Sequence, residues 1–279
     1  MLIRFWGARG SIPVSGKNYL KYGGDTTCVE IRNKKDQILI IDAGTGIRRL
    51  GNRLVKEGKK ELSILFTHAH WDHLLGFPFF KPIYKEGTII QTYGCAFTQE
   101  SLQKMLSTTM SPPNFPVKLD QIKAQINYHE TCEQTFRLMD LDIIPIPLSH
   151  PNYGITYKIV EDGKSFIFLT DNELTYQHPG GLDYEGYLEV CKDVDLLIHD
   201  AEYLPSEYKY TKTWGHTIYT DALKLALEAN ATQFGLFHHN QNRTDKQIDK
   251  MVADCKEIIK EKNKNLDCFA VHTDLEIEL

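Results

Sequence analysis

The sequence predicts a mixed α/β chain, and three observations carry that reading. Short apolar runs recur as strand signals from residues 2–6 through to residues 268–272. Amphipathic helical signals lie among them, over residues 47–56, 218–230 and 244–262. Several apolar runs end in histidine or aspartate, most densely in residues 62–76, where His68, His70, Asp72 and His73 fall within six residues. At 279 residues, 42% hydrophobic and 25% charged, the chain can bury a large core, and one compact domain over residues 1–279 fits.

The donor cluster has a geometric reading. On an extended backbone side chains alternate faces, so His68 and His70 aim at one point. Asp72 and His73 are adjacent, and on a turning backbone they aim at a second. Two metals roughly 3.5–4 Å apart form the clamp used in hydrolytic displacements, and imidazole and carboxylate donors suit zinc, manganese or iron. A lone His-x-His would read as a surface turn. Four donors directly after an apolar strand read as a metal site.

The series His68-x-His70-x-Asp72-His73 after a Leu/Ile strand resembles the HxHxDH signature of the metallo-β-lactamase-fold hydrolases. The resemblance implies a four-layer αββα sandwich (metallo-β-lactamase fold) with two divalent metal ions at one edge of its sheets. Zinc is the expected metal, with manganese or iron as alternatives.

From the N-terminus, residues 2–6 are a strand, and Gly7, Gly10 and Pro13 punctuate the loop that follows. Ribonuclease Z-like members open with a comparable strand and Gly-rich loop, which makes Arg9 and Ser11 substrate contacts by resemblance; a loop whose arginine is merely solvated reads equally well. Strands at 28–31 and 37–41 meet at Lys34-Lys35-Asp36, and the second ends in Asp42-Ala43-Gly44-Thr45-Gly46. A single Gly-rich turn is weak evidence for nucleotide binding. By resemblance, Asp42 buttresses the metal loop through hydrogen bonds. Residues 77–82 are apolar and broken by prolines, which suits a pocket wall or plain packing. Residues 88–94 are a strand and 98–106 a helix, which Pro112, Pro113 and Pro116 keep from continuing. The segment 95–127 is a candidate cover for the site.

In the second half, His150 ends the apolar residues 141–148 and Asp171 ends a strand at 164–170. Alone, His150 would be structural. The following turn, Gly154 and strand resemble the superfamily pattern, which makes His150 a ligand and Asp171 the bridging carboxylate. β-Lactamases carry cysteine at the latter position, so β-lactam hydrolysis is disfavoured. A strand ending in His199-Asp200-Ala201 and a His216-Thr217 turn before the helix at 218–230 resemble the ribonuclease Z-like branch. Paired with Asp200, His216 would have a raised pKa and act as a proton donor or phosphate-oxygen partner; the alternative is a helix-start residue without chemistry. The strand at 233–237 ends in His238-His239. Matching the family's Leu-Thr-His turn onto Leu236-Phe237-His238 puts the metal on His238, with His239 beside it. Thr244 is an N-cap for the last long helix, and residues 268–272 are a closing strand in which His272 is structural.

The resemblance thus implies His68, His70 and His150 on one ion and Asp72, His73 and His238 on the other, with Asp171 between. It implies phosphodiester hydrolysis by a metal-bridging hydroxide, with Asp72 taking the proton and His216 with Asp200 steadying the phosphoryl oxygens or protonating the leaving oxygen. tRNA-processing members carry an inserted arm between the His and Asp strands; residues 151–170 here suffice only for a hairpin. A net charge of −5 and a pI of about 6.1 supply no global field for a polyanion. The expected partner is a small anionic phosphodiester such as a cyclic nucleotide or cyclic phosphate, its charge met by Arg9, Arg48 or Arg49. No membrane partner and no strong nucleic-acid binding are expected, and a homodimer is compatible. The alternatives are a thioesterase or lactonase of the glyoxalase II type, which needs no His216–Asp200 pair, a ribonuclease Z-like nuclease, and a non-catalytic metal-binding sensor. Six scattered cysteines without a CxxC pair read as reduced thiols, and no run approaches the ~18 apolar residues of a membrane span, so a cytoplasmic protein is expected.

Overall fold

A computed structural model describes residues 1–96, 100–132 and 134–279. Strands β1 (Leu2–Gly7), β2 (Cys28–Arg32), β3 (Ile38–Ile41), β4 (Glu61–Leu65), β5 (Ile89–Gly94) and β6 (Gln125–Glu130) lie side by side in chain order in one sheet. Strands β7 (Phe136–Leu138), β8 (Leu141–Pro147), β9 (Ile155–Glu161), β10 (Lys164–Leu169), β11 (Leu196–Asp200), β12 (Gln233–Phe237) and β13 (Asp267–Ala270) do the same in a second. The chain then returns as β14 (Glu276–Glu278), antiparallel to β1. In each sheet the early pairs are antiparallel and the later ones, β3 to β6 and β10 to β13, are parallel.

Strand alternation builds the layers. In β10, Phe166 and Phe168 face the first sheet while Ile167 and Leu169 face the helices, so residues 166–169 are apolar without a break. The inter-sheet core sets Ile3, Phe5, Ile31 and Ile41 against Tyr157, Phe166, Phe168 and Phe237. Helices α1 (Ile47–Lys56), α2 (Trp71–Leu74) and α3 (Leu102–Thr109) flank the first sheet, with Ile47, Leu50, Leu54 and Leu106 packed on Ile38, Ile40, Ile64 and Ile90. Helices α4 (Tyr184–Cys191), α5 (Tyr208–Thr211), α6 (Tyr219–Glu228) and α7 (Asp245–Glu261) flank the second, with Ala222, Leu225, Ala226, Ile248 and Met251 on Leu197, Phe234 and Leu236. The result is the expected αββα sandwich.

Several local expectations change. The helix read over 98–106 begins at Leu102, where the Ser101 hydroxyl accepts from the Lys104 amide at 3.1 Å; residues 98 and 99 of that expectation lie outside the described residues. Residues 77–82 form tight turns that bury Phe77 and Phe80 in the core, which makes them packing. The strand near 268–272 does not close the chain, since β14 follows. The reduced-thiol reading fails at one pair: Cys95 and Cys132 follow the neighbouring strand ends of β5 and β6, 4.7 Å apart at Cα, and form a disulfide. Cys28, Cys191, Cys255 and Cys268 are free and buried. β9 and β10 are joined by Asp162 and Gly163, both at positive φ, the two-residue turn that Asp-Gly favours, and no arm is inserted there. Among the described residues, no helix is long and apolar enough to cross a membrane.

Candidate metal centre

The chemistry-bearing residues converge where strands of both sheets end. Asp42 follows β3, His68 and His70 follow β4, Asp171 follows β10, Asp200 ends β11 and His238 follows β12. Past β4 the backbone stays extended through His70, then turns into α2, which carries Asp72 and His73. One donor atom each from His68, His70, His150 and Asp171 lie within 4.8 Å of one another, as do donor atoms of Asp72, His73, Asp171 and His238. Asp171 belongs to both groups. His150 Nε2 is 3.0 Å from His70 Nδ1, and His68 Nε2 is 3.7 Å from Asp171 Oδ2. In the other group, His238 Nε2 stands 3.0 Å from Asp72 Oδ2 and 3.3 Å from Asp171 Oδ2, and His73 Nε2 is 3.3 Å from Asp171 Oδ1.

The inward nitrogens of His73, His150 and His238 are each aimed by a bond at the far side of the ring. His73 Nδ1 is 2.7 Å from Asp42 Oδ2, and Asp42 also accepts from the Thr67 amide and hydroxyl, both at 2.8 Å. His150 Nδ1 donates to the Gly215 carbonyl at 2.9 Å, and His238 Nδ1 lies 2.9 Å from Glu202 Oε2. Gly10 runs so close to the His238 ring that a Cβ there would stand 2.2 Å from Nδ1, so only glycine fits.

The residues fit a pair of cations. His68 Nε2 and His73 Nε2 are buried without a hydrogen-bond partner, although buried polar atoms are nearly always paired. Burial lowers the pKa of His68, His70 and His150, which keeps them neutral donors. Burial would raise Asp72 and Asp171, but the imidazoles around them hold both well below the carboxylate range. Burial would lower His73 and His238, but the facing carboxylates hold both well above the usual histidine value. Those carboxylates demand positive charge, and imidazolium supplies it where a metal would.

Beside this cluster, His216 Nδ1 is 3.2 Å from Asp200 Oδ2 and its Nε2 is 3.5 Å from Glu202 Oε2. Burial would lower its pKa, yet Glu202 and Asp200 push it up to about 9. Asp200 also accepts from the amides of Asn172 and Thr217, each at 2.9 Å, which fixes its carboxylate beside the ring. Glu202 was not singled out in the sequence, although it lies two residues beyond Asp200. Glu173 was missed too; it accepts from the amides of Thr213 and Gly215 at 2.8 and 2.9 Å and fixes the turn before His216.

Ser11, His70, Trp71, Asp72, Asp171, His216 and His238, with Ala69, line a cavity of about 390 Å³. The Ser11 amide donates to Asp72 Oδ2 at 2.9 Å. Arg9, read as a substrate contact, is not there: it is buried, and its guanidinium donates to the carbonyls of Asn240, Arg243 and Gly23. Burial pulls its pKa down to about 10. Arg49 pairs with Asp274, and neither it nor Arg48 lines the cavity. Of the two adjacent histidines, His238 faces the cluster. His239 Nε2 bonds the Val271 carbonyl at 2.8 Å, and burial, then the nearby Arg9, pulls its pKa down to about 3.

Known proteins resemble this chain in sequence and in fold. A ribonuclease Z from Haloarcula marismortui is 23% identical, over 85% of this chain and 86% of its own length. The metallo-β-lactamase fold protein YhfI from Bacillus subtilis superposes with a TM-score of 0.72 at 14% identity, covering 100% of this chain and 98% of that one. Unliganded yeast PDE1 superposes with a TM-score of 0.70 at 14% identity, covering 100% and 99%. Residues 37–239 match the model of the Beta-lactamase superfamily domain, and the chain belongs to that superfamily.

Proposed function

We propose that residues 1–279 form one hydrolase domain that cleaves a small phosphodiester, such as a cyclic nucleotide or cyclic phosphate, at a dinuclear metal centre. The relative named ribonuclease Z and the fold shared with yeast PDE1 support the class, a metal-dependent phosphoester hydrolase. The single observation that carries the finer reading is His216, held between Asp200 and Glu202 and lining the same cavity as Asp171. A thioester or lactone hydrolase has no need of a cationic imidazole at that place. The 390 Å³ cavity and the armless β9–β10 hairpin support a small substrate over folded RNA.

His68, His70, His150 and Asp171 would hold one divalent ion, and Asp72, His73, His238 and Asp171 the other, with zinc the metal their nitrogen and oxygen donors suit. When bound, such a pair supplies Lewis-acid charge stabilisation and a nucleophile at neutral pH. The chain's own residues do the rest. Asp72 Oδ2, oriented by the Ser11 amide, accepts the proton that the nucleophile gives up. His216 bonds a phosphoryl oxygen and passes its proton to the leaving oxygen, while Asp200 keeps the ring oriented. The exposed Ser11 side chain at the cavity wall is available to a further phosphoryl oxygen.

Turnover of bis(p-nitrophenyl) phosphate by protein of counted metal content tests this. The expected result is hydrolysis at about two metals per chain, lost in His70→Ala and Asp171→Ala together with part of the metal. Hydrolysis of thioesters or lactones alone, in every metal form, would sink the proposal.

A further inference from the structure

The cavity at the metal centre adjoins a second one, and Ala69 and Trp71 line both. The side cavity measures about 400 Å³, within the ~300–1,000 Å³ range of small-molecule sites. Leu74, Leu75, Met105, Thr108, Thr109 and Asn114 complete its walls. The Thr108 and Thr109 hydroxyls donate to the α3 carbonyls of Lys104 and Met105 at 2.9 and 3.2 Å, which satisfies them and leaves a mainly apolar interior. Two groups stand ready for a ligand. Trp71 is the first residue of α2, between His70 and Asp72, so its backbone is fixed by the metal loop, yet its indole is 78% exposed. Among the described residues, no hydrogen bond engages the Asn114 side-chain amide.

We propose that this side cavity receives a planar aromatic arm of the phosphodiester, a ring of nucleobase type, stacked on Trp71 with its polar edge at the Asn114 amide. The inference rests on the phosphodiester reading and narrows it to diesters with an aromatic arm close to the phosphoryl group. An indole presents a flat π-face that any base can stack on, and such contacts are sequence-tolerant. A free amide supplies both a donor and an acceptor for a heterocycle's edge. A purely aliphatic arm would use neither. Because Trp71 lies within the metal loop, a ring stacked on it fixes the phosphoryl group's distance from His70 and Asp72, so binding and positioning are coupled.

The test is calorimetric binding of adenosine 5′-monophosphate and ribose 5-phosphate to the metal-loaded protein. These share the phosphoryl group and the sugar and differ in the ring. Adenosine 5′-monophosphate is expected to bind tighter by on the order of tenfold. Thr109→Trp, which fills the cavity from α3, is expected to erase that gap while ribose 5-phosphate affinity stays unchanged, and Trp71→Ala, which removes the stacking face, is expected to erase the gap as well. Unchanged ribose 5-phosphate binding also certifies that Thr109→Trp is folded. Equal binding of the two ligands by the parent protein overturns the inference and leaves the phosphoester reading standing. A gap that survives both variants overturns it as well, because the ring then lies elsewhere. Failure to bind either ligand overturns the phosphoester reading and this inference with it.

Discussion

Asp42, Asp171 and His238 share a backbone state, with φ of 61°, 54° and 54°, each just past the end of a strand. Aspartate and histidine are among the few side chains that enter the left-handed region at modest cost, and such residues gather at functional sites. The turn lets a strand that is apolar on both faces deliver a polar side chain over the sheet edge. His216 is aimed differently, by carboxylates on either side of its ring, and that makes its role separable from metal binding. His216→Asn is expected to retain both metals by elemental analysis and to lose about 10²- to 10⁴-fold in kcat for bis(p-nitrophenyl) phosphate. Unchanged kcat would remove the proton-donor role. At this scale the sequence was readable at His68 and His70, which alternate onto one face of an extended chain, whereas His150 and Asp171, single donors after apolar runs, stood out only through the family resemblance. It misled at Arg9, because nothing local distinguishes an arginine that bonds backbone carbonyls more than 200 residues away from one that faces a substrate. Glu202 was within reach: side chains two apart on an extended chain share a face, so a carboxylate two beyond Asp200 belongs beside it.

Among the elements, the central strands were legible because burial on both faces writes three or four consecutive apolar residues, as in β3, β10 and β11. The strands at the sheet margins were not: β7 and β14 are three residues long and half exposed, so they carry neither a long apolar run nor a clear alternation. The disulfide between Cys95 and Cys132 was invisible for another reason. It depends on β5 and β6 being parallel neighbours, a long-range pairing that a spacing of 37 residues does not reveal. The pairing has a direct check. Denatured without reductant, the protein is expected to show four thiols by alkylation and mass spectrometry, those of Cys28, Cys191, Cys255 and Cys268, and six after reduction. Six thiols in both conditions would show that the reduced reading was right after all.

For the whole molecule, the centre is a clasp between the two sheets. His68, His70, Asp72 and His73 come from the first sheet's side, and His150, Asp171 and His238 from the second's. Ions bound there would tie the halves together and stabilise only the folded chain, by about 2.7 kcal/mol per site at a free concentration of 100 Kd. Chelation is then expected to lower Tm by roughly 5 °C or more, given that 1 kcal/mol moves a chain of this size class by about 2–4 °C. The size of the loss should depend on pH. In the metal-free protein, the raised pKa values of His73 and His238 contribute stability that is fully present below the unfolded value of ~6.5 and fades as pH rises through their folded values. The depressed Asp72 and Asp171 contribute above ~3.9 and are lost only as pH falls through their folded values, so between pH 6 and 9 they stay constant. A metal replaces those two imidazolium protons, so its binding releases protons and strengthens as pH rises. The difference in Tm between metal-loaded and chelated protein is therefore expected to widen from pH 6 to pH 9, with proton release on metal addition measurable by a pH indicator in weak buffer. A difference that stays flat across that range, with no protons released, would mean that His73 and His238 are not the nitrogens the ions displace protons from, and the second ligand group would have to be redrawn.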